Sequence, residues 1–395
     1  MSEIVKLGDV LSTGAGGTPL KSQKKYYEGG DIKWLLSGAV CEKDIHDSKT
    51  HITEEGLTNS SAKLFPSNTV LVAMYGATAG QVGILRTEAA TNQAVCGIYP
   101  SKNYLPEFLY YYLTNYKETL LLEVSGVAQP NLSQVKIKNI PLPLISLAEQ
   151  RRIVAKLDAA FAEIDKIATN TQQKLEEVQK LYASGITEIY FSNKSVHVVP
   201  LSTVSKIKGG KRLPKGSKLQ PEPTNHPYIR VSDFTDFGTI DEKSIQYITE
   251  EIHSEISRYT ISSNDVYVSI AGTIGKTGII PQSLDGANLT ENAAKIVLNE
   301  ECDKDYFYFF TTSSSFEKQA IAQTRTAAQP KLALERLGAV ELPIHNKLSQ
   351  QAIAEKARSV RDKVRLVETL LNEKLVQTQV LKSAILAQEL QSEAA

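Results

Sequence analysis

Cysteine is scarce in this chain of 395 residues: Cys41, Cys96 and Cys302 stand far apart, with no CxxC pair among them. That spacing argues against a disulfide framework and a cysteine-based structural zinc site, and it suits a reducing cytoplasm. The six histidines (His46, His51, His197, His226, His253 and His345) give no metal-ligand spacing on a helix. No Pro-Pro occurs, so the Asn/Asp-Pro-Pro-aromatic tetrapeptide of DNA methyltransferases is missing, as are HExxH and a serine elbow. Gly272–Thr277 resembles the end of a phosphate-binding loop, but Ile270 stands where that motif needs its first glycine. Gly14-Ala15-Gly16-Gly17 falls short of a dinucleotide fingerprint. No apolar run approaches the length of a membrane span, and the start MSEIVKLGDV has no signal-peptide pattern. Charge of neither sign dominates, with Lys+Arg 44 against Asp+Glu 44. A protein that held DNA alone through its phosphates would be basic, so any such role needs local patches or partners that supply charge.

What the chain does have is a duplication. Val70–Ile84 matches Val266–Ile279, with Thr78, Gly80 and Gly83 meeting Thr273, Gly275 and Gly278. Thr91-Asn92-Gln93-Ala94 then meets Thr290-Glu291-Asn292-Ala293, and the aromatic run Phe108–Tyr112 meets Tyr306–Phe310. Further on, Ala128-Gln129-Pro130 and Leu142-Pro143 recur as Ala328-Gln329-Pro330 and Leu342-Pro343, two hundred positions later. That period is far longer than a solenoid repeat, so each copy is a domain with an appendage.

The appendage is a helix. Leu147 to Tyr190 contains no proline, and a heptad seam runs through Ile153, Leu157, Phe161, Ile164, Ala168, Thr171, Leu175, Val178, Tyr182 and Ile189. The second copy offers Ile353, Ala357, Val360, Val364, Val367, Leu371, Leu375, Thr378, Leu381 and Ile385. A helix of roughly 40 residues is a rod of about 60 Å, and its apolar stripe must be covered. The expected cover is the other helix, antiparallel, relating the halves by a pseudo-two-fold axis; the alternative is packing of each helix on its own domain.

The preceding parts read as α+β domains with largely antiparallel sheets. Strands are expected at Asp31–Leu36, Thr69–Met74, Gly83–Leu85 and Val95–Tyr99, and again at His226–Val231, Asp265–Ile270, Gly278–Ile280 and Ala294–Leu298. Phe108–Leu113 and Asp305–Phe310 are expected core helices.

Basic residues concentrate in 206–218, where Lys206, Lys208, Lys211, Arg212, Lys215 and Lys218 occur without an acid in what reads as a glycine-rich loop. The first copy has a weaker counterpart in Lys21, Lys24, Lys25 and Lys33 beside Trp34. Such loops suit a phosphate backbone. Polar tips differ between copies: Ser37-Gly38-Ala39 against Ser232-Asp233-Phe234 after Arg230, Asn92-Gln93 against Glu291-Asn292, and Gln81 against Lys276. Shared frames with different tips are what two readers of different base edges require.

The junction Ala128-Gln129-Pro130-Asn131-Leu132, Ile140-Pro141-Leu142-Pro143 and Glu149-Gln150-Arg151-Arg152-Ile153 resembles that of the specificity subunits of type I restriction–modification systems, and the resemblance covers essentially the whole chain. The second copy departs from the pattern at Lys331 and Ser349. The resemblance implies target-recognition domains over 1–145 and 194–345 and spacer helices over 146–193 and 346–395. It implies a non-catalytic subunit that reads a bipartite, asymmetric site in double-stranded DNA. It further implies two adenine-N6 methyltransferase subunits and motor-nuclease restriction subunits as partners. S-adenosylmethionine, ATP and magnesium would then sit on those partners, with no cofactor or metal on this chain. From the residues alone, a self-sufficient DNA methyltransferase or nuclease and a coiled-coil scaffold with no DNA role stay open.

Overall fold

The structure, a computed structural model, describes residues 3–122, 132–193, 196–324 and 331–391; the motif residues 128–131 and 328–330 lie outside them. The chain forms two compact units, Met1–Asn170 with Lys374–Ala395, and Thr171–Glu373. The division falls within the two long helices, Leu147–Phe191 and Lys347–Gln391, each 45 residues in length. No described helix is long and apolar enough to cross a membrane.

In unit 1 the main sheet is built on β4 (Val70–Ala73), a strand buried on both faces. It pairs antiparallel with β5 (Val82–Leu85) and β7 (Val95–Ile98), and β7 pairs antiparallel with β1 (Thr13–Ala15). Asp44–Ile45 adds a parallel edge beside β5. In a second sheet, β2 (Ile32–Leu35) runs parallel to β6 (Ala89–Thr91), which pairs antiparallel with β3 (Leu64–Phe65). The helix Pro106–Leu122, opened by a proline whose missing N–H costs nothing there, buries Phe108, Tyr111 and Tyr112 against the main sheet.

Unit 2 repeats the plan. β8 (Ser205–Gly209), β13 (Ala293–Leu298), β10 (Val266–Ser269) and β11 (Thr277–Ile279) form an antiparallel sheet in that order. β9 (Pro227–Ile229) runs parallel to β12 (Asn288–Leu289). The helix Lys304–Thr311, capped by the Asp303 carboxylate on the Tyr306 N–H at 2.9 Å, buries Tyr306, Phe307, Phe309 and Phe310. All eight expected strands and both core helices are present. One expectation is corrected: 206–218 is not a loop throughout, because Lys206 and Lys208 lie on β8.

Each domain is tied to its long helix by one glutamine. Gln150 is fully buried: its Oε1 accepts from Leu105 N–H at 2.8 Å, and its Nε2 donates to the carbonyls of Asn103 at 2.8 Å and Ile145 at 3.1 Å. Gln350 repeats the motif with Asp303 N–H at 2.7 Å and the carbonyls of Glu301 and His345, both at 2.8 Å. Just upstream, Leu142 and Leu342 are buried in short strands that pair antiparallel with Ile4–Lys6 and His197–Pro200.

The long helices pack antiparallel within each unit, and they also pack on their domains, so the two sequence expectations hold together. In unit 1, Ile153, Leu157, Leu386 and Leu390 share one core with the sheet and Phe108; in unit 2, Tyr182, Ile186, Ala354 and Ala357 do so with Phe307 and Phe310. Lys156 reaches Glu389 at 2.6 Å and Lys382 pairs with Asp165. Lys382 lies 5.4 Å from the Phe161 ring, and in unit 2 Arg361 lies 5.0 Å from the Tyr182 ring. These are equivalent positions with cation and ring exchanged between the helices, a contact that keeps the seam closed around a charge.

Of the expected seam residues, Leu157, Ile164 and Ala357 are buried, and Phe161, Leu175, Val178, Val360, Val364, Leu371 and Leu375 are half-buried. The expected seam is wrong at Val367 and Leu381, 40% and 48% exposed; the inward positions are Glu368, 8% exposed, and half-buried Lys382. Ile186, not Ile189, is the fully buried residue after Tyr182. Following apolar letters selected the residue beside the seam where the seam itself carries a charge.

Candidate nucleic-acid interface

Each unit builds its own surface on the same backbone frame. In unit 1, Gly16 N–H donates to Val95 O at 3.1 Å, Gly17 N–H to Thr91 O at 2.9 Å and Asn92 N–H to Leu35 O at 2.9 Å. In unit 2, Gly210 N–H donates to Ala293 O at 2.9 Å, Lys211 N–H to Leu289 O at 2.8 Å and Thr290 N–H to Ile229 O at 3.0 Å. The approach is too close for a side chain: a Cβ on Gly16 would sit 2.1 Å from Thr91 Oγ1, and one on Gly210 2.1 Å from Thr290 O. An aromatic donor pins the next carbonyl, Trp34 Nε1 to Gly17 O at 3.0 Å and the Tyr228 hydroxyl to Lys211 O at 2.8 Å. Trp34 is 5% exposed, so it is a buried pin and is not available to stack on a base.

These bonds also correct the alignment of the copies. Asn92, Gln93 and Ala94 stand opposite Thr290, Glu291 and Asn292, one position away from the pairing that the shared threonine and alanine suggest. The short 3-10 turn Ser37–Ala39 corresponds to Val231–Asp233, so Ser37 faces Val231 and Gly38 faces Ser232. Chemical identity of letters had shifted both frames by one.

The units differ in charge. In unit 1, Lys24 pairs with Glu28 at 3.9 Å, Lys25 with Glu55, and Lys33 with Asp47 at 3.4 Å. Lys33 also donates to His46 O at 2.9 Å, which fixes it beside His51 on the neighbouring strand. Only Lys21 of the four has no carboxylate partner among the described residues. Gln93, exposed, meets the Thr18 hydroxyl, while Asn92 Oδ1 accepts from Ala94 N–H at 3.2 Å and shapes its own turn.

In unit 2, Lys206, Lys208, Lys211, Lys215 and Lys218 are exposed and have no carboxylate partner among the described residues. Arg212 pairs with Glu291 at 2.6 Å. Beside them, Arg212, Arg230, Ser232 and Asn292 line a depression of about 370 Å³, so the structure gathers four residues that are distant in sequence. Asp233 does not join them: it is 1% exposed, and its carboxylate takes Arg230 Nη2 at 2.6 Å and the Ser244 hydroxyl at 3.1 Å. Arg230 is half-buried and braces that turn.

Gln81 and Lys276 lie apart from this surface, on hairpin turns that face the helices. Gly80, next to Gln81, approaches Lys117, and Lys276 pairs with Asp236 at 2.7 Å beside a cavity lined by Tyr308, Thr312 and Ala320. Sequence reasoning missed Arg258, Tyr259 and Lys295, which meet Lys208 around a second hollow; the segments that supply them lie far apart in the chain.

Burial pushes the Cys96 and Cys302 thiols up to about 12, which keeps both protonated at neutral pH. Among the described residues no group of three or more His, Cys, Asp or Glu is placed to hold a metal ion.

The family model described as the type I restriction modification DNA specificity domain matches residues 2–177 and 193–374. Among curated proteins, the type I restriction enzyme MjaIX specificity subunit of Methanocaldococcus jannaschii is 28% identical over 334 residues, 78% of this chain and 74% of that one. The EcoBI specificity subunit of Escherichia coli is 25% identical over 334 residues, covering 77% and 69%. The match to the EcoR124I/EcoR124II specificity subunit of Escherichia coli, also 25% identical, spans only 45% of each chain. A solved chain, from a study of complex assembly and conformational transition of the type I R-M system, shares the fold at TM-score 0.69 and 18% identity, over 98% of this chain and 97% of that one.

Proposed function

Because the chain belongs to the type I restriction modification DNA specificity domain family, we propose that it is the DNA-reading specificity subunit of a type I restriction–modification complex. Each unit reads one half of a bipartite, asymmetric site. The observation that carries this is the glycine-pinned frame, built twice with different polar tips: Gln93 and Ser37 in unit 1, Arg212, Ser232 and Asn292 in unit 2. Arginine, glutamine and asparagine are the side chains that make paired hydrogen bonds to guanine and adenine edges, so exchanging tips on a fixed frame changes the sequence read and not the fold.

The chain itself is not an enzyme. Two adenine-N6 methyltransferase subunits and the restriction subunits dock on it and supply S-adenosylmethionine, ATP and magnesium chemistry, in the cytoplasm. Its formal charge of +0 fits that division, since the partners share the work of neutralising the duplex. The two domains are joined by helices of 45 residues, and these set the unread gap between the half-sites.

Replacing Lys211, Arg212 and Lys215 by glutamine tests the interface. Binding of the methyltransferase complex to duplex DNA, followed by fluorescence anisotropy over a salt series, should weaken on every sequence, and the salt dependence should flatten by roughly two to three units. An unchanged slope would remove this segment from the interface.

A further inference from the structure

Strand register places Lys208 directly opposite Lys295, on β8 and β13. In unit 1 the equivalent pair, fixed by the same frame of backbone bonds, is Gly14 opposite Gly97. Two like charges face to face on a sheet destabilise it unless something relieves them. Asp265, 5% exposed, relieves Lys295 at 3.3 Å, whereas Lys208 has no carboxylate partner among the described residues. Lys208, Arg258 and Lys295 line a hollow of about 310 Å³ together with Gly209, Gly210 and Tyr259, and no carboxylate is among its lining residues. Lys211, exposed and without a carboxylate partner among the described residues, lies 5.6 Å from the Tyr259 ring and adds a further positive charge beside this hollow.

Unit 1 has no room for such a site. The rings of Phe65 and Tyr99, with centroids 5.3 Å apart, occupy the corresponding space. A Cβ on Gly97 would lie 2.5 Å from Phe65 Cε1, and one on Gly14 would lie 3.0 Å from the Tyr99 oxygen. The two glycines exist to admit the rings, and the two lysines stand where the rings are missing.

We propose that the Lys208–Arg258–Lys295 hollow seats a phosphate of the DNA backbone, and that of this chain's two units unit 2 thereby carries most of the salt-dependent affinity while unit 1 reads with little electrostatic anchoring. This rests on the proposed DNA-reading function and adds where the phosphate contact falls. A guanidinium and ammonium groups lining one hollow match a phosphate's spread charge. Phosphate contacts fix position without selecting bases, so this hollow sets the register in which Arg212, Ser232 and Asn292 meet base edges.

The test uses the full chain with its methyltransferase subunits and a duplex carrying the sequence that the complex methylates. Lys208→Gln with Arg258→Gln should lower the slope of log affinity against log salt by about two units, and affinity at 0.1 M salt by more than about tenfold. The methylated sequence should not change. Lys208→Arg with Arg258→Lys, which keeps both charges, should restore most of the slope, while a mere packing defect would persist. Lys24→Gln with Lys25→Gln in unit 1 should lower the slope by less than half a unit. A wild-type slope in the Lys208/Arg258 variant, or an equal loss from the unit 1 variant, overturns the proposal while leaving the DNA-reading function standing. A wild-type complex that shows no salt-sensitive binding to that duplex sinks both.

Discussion

Gln350→Leu should lower the melting temperature by roughly 6–12 °C, the counterpart of about 3 kcal/mol in a unit of this size. The amide makes three hydrogen bonds at 2.7–2.8 Å while fully buried, to one N–H and two carbonyls that have no water to turn to. Leucine fills much of the same volume but leaves all three groups orphaned at the point where the domain meets its helix. Gln150→Leu should act the same way in unit 1. The exposed neighbour Gln351 is the control, and Gln351→Leu should move the transition by no more than a degree or two. Thermal unfolding followed by circular dichroism measures both; equal effects at 350 and 351 would show that the buried amide is not a structural tie.

Exchanging residues 1–145 for the corresponding domain of another family member should replace one half of the recognised sequence and leave the other half intact. The reason lies in how each unit closes on itself. The frame that positions Gln93 and Ser37 is bonded within residues 16–95, and that which positions Arg212 and Asn292 within 210–293. What the incoming domain must keep is the strand carrying Leu142, which pairs with Ile4–Lys6, and the loop carbonyls that receive Gln150. Methylation mapping of the chimera decides the matter, and a change in both halves would contradict independent reading.

Much of this architecture was legible in the letters. Short runs of apolar and β-branched residues located the central strands, which are buried on both faces, and the absence of proline over a heptad pattern located both long helices, because burial imposes those patterns directly. Alignment of the copies by identity slipped by one at Thr91 and Ser37, since backbone hydrogen bonds, not letters, set the correspondence. The seam slipped at Val367 for a similar reason: Glu368 is inward, and a charged letter does not advertise burial. The interface was the least legible part. Lys25 and Lys33 look free until folding brings Glu55 and Asp47 to them, and Trp34 looks like a member of the same surface until the Gly17 carbonyl is seen to take its N–H. Conversely, Arg258 and Lys295 carry no local signal at all, because the hollow they share with Lys208 exists only once β8 and β13 are paired.

The most direct measurement is the methylome of a host that carries this chain with its methyltransferase partner. The reading of two units on one frame predicts N6-methyladenine at a single asymmetric motif made of two short half-sequences separated by an unread gap of constant length. A continuous motif, a gap of variable length, or methylation that persists unchanged when this chain is deleted would contradict it.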